Sequence, residues 1–262
     1  MPKSIKKHTS PRAIESVLAT LPAHRAGLPA KDAIAAVTTG AGKYTIIHTQ
    51  EMDQYEKGAM GPGLAAAVPA PPAGDNFGGT ARKAAKLSIS TATAENFKDV
   101  KDLVASLVPD AKMIAHKPKI TTTAASKRVK EEERNVHVTA FIYAASREAD
   151  NDFHLIIGRD PKATPEIYMT MELSGLPPAG SASFTQLKAA RDAFKKFFKT
   201  DLGGKLPGLT YDFYDPPVPV QIDGSLFFDM THAQGPHPGP PSLKSRMPVI
   251  WEVHPITKIV LE

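Results

Sequence analysis

Side chains that could bind a metal or transfer a proton recur at alternate positions in the second half of the chain. The five most suggestive are Asp152, His154, Glu172, Glu252 and His254. Residues two apart in a β-strand point to the same face of a sheet, so each Asp/Glu-x-His pair shares one face. The chain has no cysteine, which leaves imidazole and carboxylate groups as its metal ligands. These five residues are therefore candidate ligands of a divalent metal or members of an acid–base site.

The same residues admit two other interpretations. His–carboxylate pairs can be structural hydrogen bonds that hold the ends of a barrel, and alternating polar residues occur on any solvated sheet face. A direct ligand-binding role is the third interpretation. A serine hydrolase is disfavoured because no serine stands in a G-x-S-x-G motif.

The elements that would position these residues are predicted to form a small barrel. Apolar and polar residues alternate in five segments, and a helical apolar stripe lies between the third and fourth. The predicted strands are 136–144, 152–158, 166–173, 218–230 (interrupted at Asp223-Gly224) and 248–261, and the predicted helix is 184–199. This order predicts a mainly β fold with α: a five-stranded OB-like Greek-key barrel with a helix between strands three and four. Strand three would then lie between strands two and five, which brings the polar faces together.

Four short pieces support that fold by resemblance. They are Asp150-Asn151-Asp152-Phe153-His154-Leu155, Ala189-Ala190-Arg191-Asp192-Ala193-Phe194, Phe227-Phe228-Asp229-Met230-Thr231-His232-Ala233-Gln234 and Glu252-Val253-His254-Pro255. In this order they resemble a group of uncharacterised bacterial proteins with a D-x-D-x-H-L hairpin, an A-R-x-x-F helix, an F-F-D-x-x-H-G-Q turn and a terminal E-L-H-P. Ala233 replaces the glycine of that turn. The resemblance covers about residues 134–262 and implies an OB-like barrel, with no activity attached.

Charge divides the chain in two. Residues 1–130 contain 19 Lys+Arg and 10 Asp+Glu, whereas residues 131–262 contain 13 and 17. We therefore predict a basic, mixed and loop-rich N-terminal region over 1–130 and a barrel domain over 131–262. The basic residues Lys127, Arg128 and Lys130 could hold phosphates, although a solvated linker has the same composition.

The N-terminal region carries weaker structural signals. Thr93 stands as an N-cap before a helical apolar pattern, which predicts a helix near 94–108. The other predictions are helix-like spacing over 11–21 and 29–37, a strand over 43–49, and an extended loop over the Ala/Pro/Gly-rich 58–79.

Two functions follow from these patterns. The first is a non-enzymatic OB-like binding protein whose ligand is a protein or a polyanion such as single-stranded nucleic acid, held by Tyr168, Thr170 and the three basic residues above. The second is a metal-dependent hydrolase that uses a divalent metal on the His/carboxylate cluster. No other cofactor is implied. No apolar run of about 18 to 20 residues or signal peptide is seen, so we expect a cytoplasmic protein without a membrane partner.

The Asp229-x-x-His232 turn yields a stability prediction. It follows the apolar 226–228 segment, where the chain leaves its sheet and exposes backbone groups that need partners. If His232 is a buried hydrogen-bonding partner, His232→Ala lowers the free energy of unfolding by about 1–3 kcal/mol. Denaturant unfolding measures this change. An unaltered melting temperature together with lost metal binding would contradict it.

Overall fold

A computed structural model describes residues 6–8, 33–39, 43–53, 74–234 and 237–262. It is a mixed α/β protein made mostly of strands. The strands are β1 (Lys6–His8), β2 (Ala33–Thr38), β3 (Thr45–Thr49), β4 (Ala94–Phe97), β5 (Asn135–Arg147), β6 (Phe153–Gly158), β7 (Tyr168–Leu173), β8 (Asp212–Phe228) and β9 (Trp251–Leu261). The α-helices are α1 (Lys83–Lys86), α2 (Val100–Ala105), α3 (Asp110–Ile114) and α4 (Phe184–Asp201), and 3-10 turns lie at Lys130–Glu132, His232–Gln234 and Lys244–Arg246.

All the strands belong to one mixed sheet in the order β1-β2-β3-β8-β9-β7-β6-β5-β4. An additional pairing between β8 and β5 closes five of them into a hydrogen-bonded ring, β5-β6-β7-β9-β8. The β4–β5 and β7–β9 pairs are parallel, and the other pairs are antiparallel. Within the ring β7 lies between β6 and β9, as the predicted strand order requires.

The strand order of the second half matches the prediction, but β8 is longer than expected. Its first residues, from Asp212, pair with β3 on one side and β5 on the other. The predicted interruption at Asp223-Gly224 is a shift of register on β9 within a continuous strand. A side chain at Gly224 would lie 2.4 Å from Val253 Cγ1 and 2.6 Å from Pro255 O, so close packing of β9 requires glycine there.

Helix α4 covers the ring with the apolar stripe that the sequence shows. Leu187, Ala190, Phe194 and Phe198 recur at helical spacing and are buried, and the helix packs on β9 and β7. Among the described residues, no helix is long and apolar enough to cross a membrane.

The helix predicted near 94–108 is confirmed over Val100–Ala105 as α2, which begins after Asp99 and not after Thr93. The Asp99 carboxylate accepts a hydrogen bond from Lys101 N, and residues 94–97 form β4, parallel to β5. The helix predicted over 29–37 is wrong in its described part. Residues 33–38 form β2, because pairing with β3 overrides a weak Ala-rich helical pattern. The strand predicted over 43–49 is observed as β3. The predicted helix 11–21 and residues 54–73 of the predicted loop lie outside the described residues, and residues 74–79 form no helix or strand.

Residues on both sides of position 130 share one hydrophobic core. Tyr44, Ile46, Val100 and Met113 from the first half pack with the apolar side chains of the ring. The hydrophobic core therefore includes residues from both sides of position 130.

A buried ion pair joins the two halves. Arg82 Nη1 lies 2.6 Å from Glu132 Oε1 and 2.9 Å from the carbonyl oxygen of Phe228, while Nη2 donates to Glu132 Oε2 at 2.8 Å and to Lys127 O at 2.9 Å. Both side chains are almost fully buried. Arg82 thus holds the last residue of β8 and the 3-10 turn at Lys130–Glu132 together.

Removing this arginine should be far more costly than removing an exposed one. We expect Arg82→Met to lower the free energy of unfolding by about 3–5 kcal/mol, because Glu132 stays buried without its partner. Arg134→Met is the matched control: its partner Glu95 is half-exposed, and such pairs contribute about 0–1 kcal/mol. Denaturant unfolding measures both changes. Equal losses of unfolding free energy in the two variants would contradict the expected difference between a buried and a half-exposed ion pair.

Candidate functional site

The ring brings the five predicted residues into one buried cluster. His154 is on β6, Glu172 on β7, and Glu252 and His254 on β9, while Asp152 immediately precedes β6. The register places His154 opposite Glu172. None of the five side chains is more than 3% exposed. The cluster is therefore part of the interior and not a solvated sheet face.

Asp152, Glu172 and His254 form the tightest group. His254 Nδ1 lies 2.5 Å from Glu172 Oε2, and His254 Nε2 lies 3.4 Å from Asp152 Oδ2. One oxygen atom of Asp152 is fixed by the Gly175 N–H at 2.6 Å. One ligand atom from each of the three residues lies within 4.8 Å of the others, which is compatible with a shared metal ion.

Several ligand atoms of this cluster are buried without hydrogen bonds. Asp152 Oδ2 and both carboxylate oxygens of Glu252 have no hydrogen-bond partner among the described residues. His254 Nδ1 and Glu172 Oε2 face each other at 2.5 Å as a buried ion pair. Buried polar atoms are nearly always paired, so three unpaired oxygen atoms in one place need an explanation.

His154 is held differently, because both of its ring nitrogens are bonded. Nδ1 lies 2.7 Å from Glu148 Oε1, and Nε2 lies 3.1 Å from the Thr170 hydroxyl. Burial alone would lower the pKa of His154, but the Glu148 carboxylate raises it to about 9. Burial raises the pKa of Glu148 to about 7 against the opposing effect of His154. The two form a proton-sharing pair beside the first group.

The turn after β8 adds a second His–carboxylate pair. His232 Nδ1 lies 2.6 Å from Asp229 Oδ2, and the other oxygen of Asp229 accepts from the backbone N–H and the hydroxyl of Thr231. Burial opposes protonation of His232, yet Asp229 raises the pKa of this imidazole to about 10. His232 is buried and hydrogen-bonded, which is the geometry assumed by the His232→Ala prediction.

Sequence reasoning missed an ammonium group within the cluster. Lys86 Nζ, from α1, lies 3.3 Å from Asp150, 3.6 Å from Asp152 and 3.8 Å from Glu172. Glu148 and Asp53 were also missed, and they form a third potential ligand group with His154. Neither Lys86 nor Asp53 belongs to an alternating strand pattern, so no periodic signal pointed to them.

Negative charge exceeds positive charge in this interior. Seven carboxyl groups meet three imidazoles and one ammonium group: Asp53, Glu148, Asp150, Asp152, Glu172, Asp229 and Glu252, with His154, His232, His254 and Lys86. Burial raises the pKa of Asp152 and of Glu252 well above the usual range, and neighbouring carboxylates add to the effect. Glu172 shows the reverse, because Lys86 and His254 outweigh burial and lower its pKa. The site is therefore strongly attractive to cations.

A cavity of about 320 Å³ gives access to the cluster. Lys86, Glu148, Glu172, Asp229 and His232 line its wall, whereas Asp152, Glu252 and His254 do not. A small molecule could thus approach the cluster from one side.

Two arginines hold the elements that carry these residues. Arg191, from the Ala-Arg motif of α4, donates to the carbonyl oxygens of Leu173 and Asn151 and pairs with Asp75 at 3.0 Å. Arg128 donates to the carbonyl oxygens of Ala85, Ser88, Leu226 and His254. Both guanidinium groups act as internal anchors for the backbone around the site.

The predicted ligand-binding residues do not form one exposed surface. Tyr168 is 3% exposed and its ring contacts Tyr143 and Arg246, so it offers no exposed stacking surface. Thr170 is buried against His154. Arg128 is engaged as described above, which leaves Lys127 and Lys130 exposed to solvent.

Comparison with known proteins adds no identity. No protein-family model, curated protein or solved structure matches the chain.

Proposed function

We propose that this protein is a hydrolase that uses a divalent metal ion bound in the His/carboxylate cluster. One observation carries the proposal: Asp152, Glu172 and His254 are buried, one ligand atom from each lies within 4.8 Å of the others, and Asp152 Oδ2 has no hydrogen-bond partner among the described residues. A cation at this point would satisfy all three atoms and offset the excess of carboxylate charge.

The donor set fits a first-row divalent ion such as Zn²⁺ or Mn²⁺. One imidazole and two carboxylates are ligands that both ions accept, and three protein ligands leave coordination positions for water and substrate. The bound metal would lower the pKa of a water molecule so that it can attack an ester or phosphoester. Glu172 reaches the cavity wall, which connects the site to an incoming substrate.

Glu148 and His154 are suited to move the proton that hydrolysis releases. Glu148 lines the cavity, its pKa is raised to about 7 by burial, and it is hydrogen-bonded to His154. A carboxyl group with a pKa near the working pH is an effective general base and acid. We therefore assign proton transfer to Glu148 and its orientation to His154, whose ring is fixed by Thr170.

Metal binding is the direct test. After chelation and dialysis, we expect the protein to bind Zn²⁺ or Mn²⁺ in calorimetry. Metal at about 100 times its Kd should stabilise the fold by about 2.7 kcal/mol and raise the melting temperature by about 5–10 °C. Glu172→Gln should weaken binding by at least about tenfold. Glu166→Gln, at a carboxylate bonded to Arg246 outside the cluster, is the matched control. Absence of binding and of any thermal shift would refute the proposal.

A second variant separates a metal site from a purely internal ion network. In such a network Lys86 is the counterion, and Lys86→Met would destabilise the protein with no rescue by metal. If a metal binds, removing an ammonium group 3.6–3.8 Å from two ligand carboxylates should leave binding intact or tighten it. Hydrolysis of bis(p-nitrophenyl) phosphate then tests activity, and Glu148→Gln should reduce turnover while metal affinity is retained.

We also propose that the five-stranded ring is an OB-like Greek-key barrel. Two features support this proposal: the ring order β5-β6-β7-β9-β8, and the position of α4 between β7 and β8 along the chain. This proposal extends to membership of residues 134–262 in the bacterial OB-like group that the four sequence pieces resemble.

Polyanion binding is our second candidate function. A groove of about 430 Å³ is lined by Lys119, Thr121, Thr122, Thr123 and Thr231, among others, and Thr231 also lines the acidic cavity. Together with exposed Lys127 and Lys130, this groove could guide a phosphate chain towards the cluster.

A salt titration of single-stranded DNA binding tests the second candidate. We expect binding at about 50 mM salt whose log–log slope falls in magnitude by about 1.4 when Lys127 and Lys130 are both changed to Gln. The double change of Lys196 and Lys199, exposed on α4, to Gln is the control. Binding without a salt slope, or no binding, would remove this function from consideration.

A further inference from the structure

Glu252 is a buried acidic residue of the cluster whose side chain makes no hydrogen bond among the described residues. It lies on β9, is 1% exposed, and both of its carboxylate oxygens lack a hydrogen-bond partner among the described residues. A buried carboxylate normally accepts bonds on both oxygens. Glu252 takes no part in the group of Asp152, Glu172 and His254 on which the proposed function depends.

Two sets of potential ligands meet at Glu252. On one side, Glu252 Oε2 lies 3.7 Å from His254 Nδ1, an atom of the first group. On the other side, Glu252 forms a separate group with Asp229 and His232 in which one ligand atom from each lies within 4.8 Å of the others. The strand register explains this position: Glu252 is opposite Phe227 of β8, and Asp229 follows two residues later.

We propose that the site holds two divalent cations and that Glu252 bridges them. Asp152, Glu172 and His254 bind the first, and Asp229, His232 and Glu252 bind the second. This inference rests on the proposed function, because it assumes the first cation. It adds a centre of the two-metal type, in which two ions about 3.5–4 Å apart stabilise both the attacking and the leaving oxygen of a phosphoester.

The second group is already oriented for this role. Thr231 fixes one oxygen of Asp229 through two hydrogen bonds, and the other oxygen holds the imidazole of His232. Asp229 and His232 both reach the wall of the 320 Å³ cavity, so the second cation would be the one that faces substrate most directly. The third group is Asp53, Glu148 and His154. Because the proposed function assigns Glu148 and His154 to proton transfer, we infer two cations and not three.

Manganese stoichiometry and electron paramagnetic resonance test the bridge. We expect the full chain to bind two Mn²⁺ with a spin-coupled spectrum. Glu252→Gln should bind one Mn²⁺ with the uncoupled six-line signal, since the first group is unchanged. Asp229→Asn, which leaves the bridging residue in place, should also bind one. Glu166→Gln should behave as wild type, and circular dichroism should show that each variant is folded.

The outcomes distinguish the two proposals. If the wild-type chain binds no Mn²⁺ or Zn²⁺, the proposed function fails and the bridge fails with it. If the wild-type chain binds one Mn²⁺ with an uncoupled spectrum, the two-cation inference is overturned while the proposed function stands. Two equivalents in Glu252→Gln would exclude this residue as the bridge. Should Glu252→Gln not fold, one equivalent in folded Asp229→Asn, against two coupled ions in wild type, supports the second site.

Discussion

The parallel pairing of β7 with β9 is the constraint on which the rest of the site depends. Thr170 lies opposite Glu252 and Met171 opposite Val253, and one step further Glu172 meets His254 at 2.5 Å. Like the β8–β5 pairing, this pairing is required for a closed ring, because it joins β9, which is paired with β8, to β7, which is paired with β6. Without it the Glu172 carboxylate of β7 and the His254 imidazole of β9 would lie on separate sheet edges. The same strand pairing therefore completes the ring and brings part of the cluster together.

So many ionisable groups in the interior must be held by a rigid surrounding structure. The apolar faces of the ring strands and α4 hold them by close packing, and buried arginines hold the nearby backbone by donating hydrogen bonds to its carbonyl oxygens. Arg128 is bonded to the carbonyl oxygen of His254 itself, so a residue of the first half fixes a ligand candidate near the end of the chain. This arrangement explains why the two halves, which differ in charge, share a single core.

Alternation of polar and apolar residues predicts the ring strands, and the OB-like strand order inferred from them predicts that five polar side chains meet. Local patterns are insufficient in three places. Residues 94–97 are predicted to be helical, but they form β4 by pairing with β5, a long-range contact that local spacing does not encode. Lys86 lies in a four-residue helix with no periodic pattern. Arg128 looked like part of a phosphate-binding run, yet its guanidinium group is used by carbonyl oxygens that a sequence does not reveal.

The position of Lys86 has a consequence for how this protein can evolve. Its ammonium group is within 4 Å of three carboxylates from two segments: Asp150 at 3.3 Å and Asp152 at 3.6 Å before β6, and Glu172 at 3.8 Å on β7. Exchange of the lysine for a neutral residue adds uncompensated charge at all three positions, and loss of one carboxylate alters the balance for the other two. Single substitutions at Lys86 or at its three carboxylate neighbours should thus be poorly tolerated. Among descendants of this sequence, we expect position 86 and its acidic neighbours to be inherited, or exchanged, as a unit.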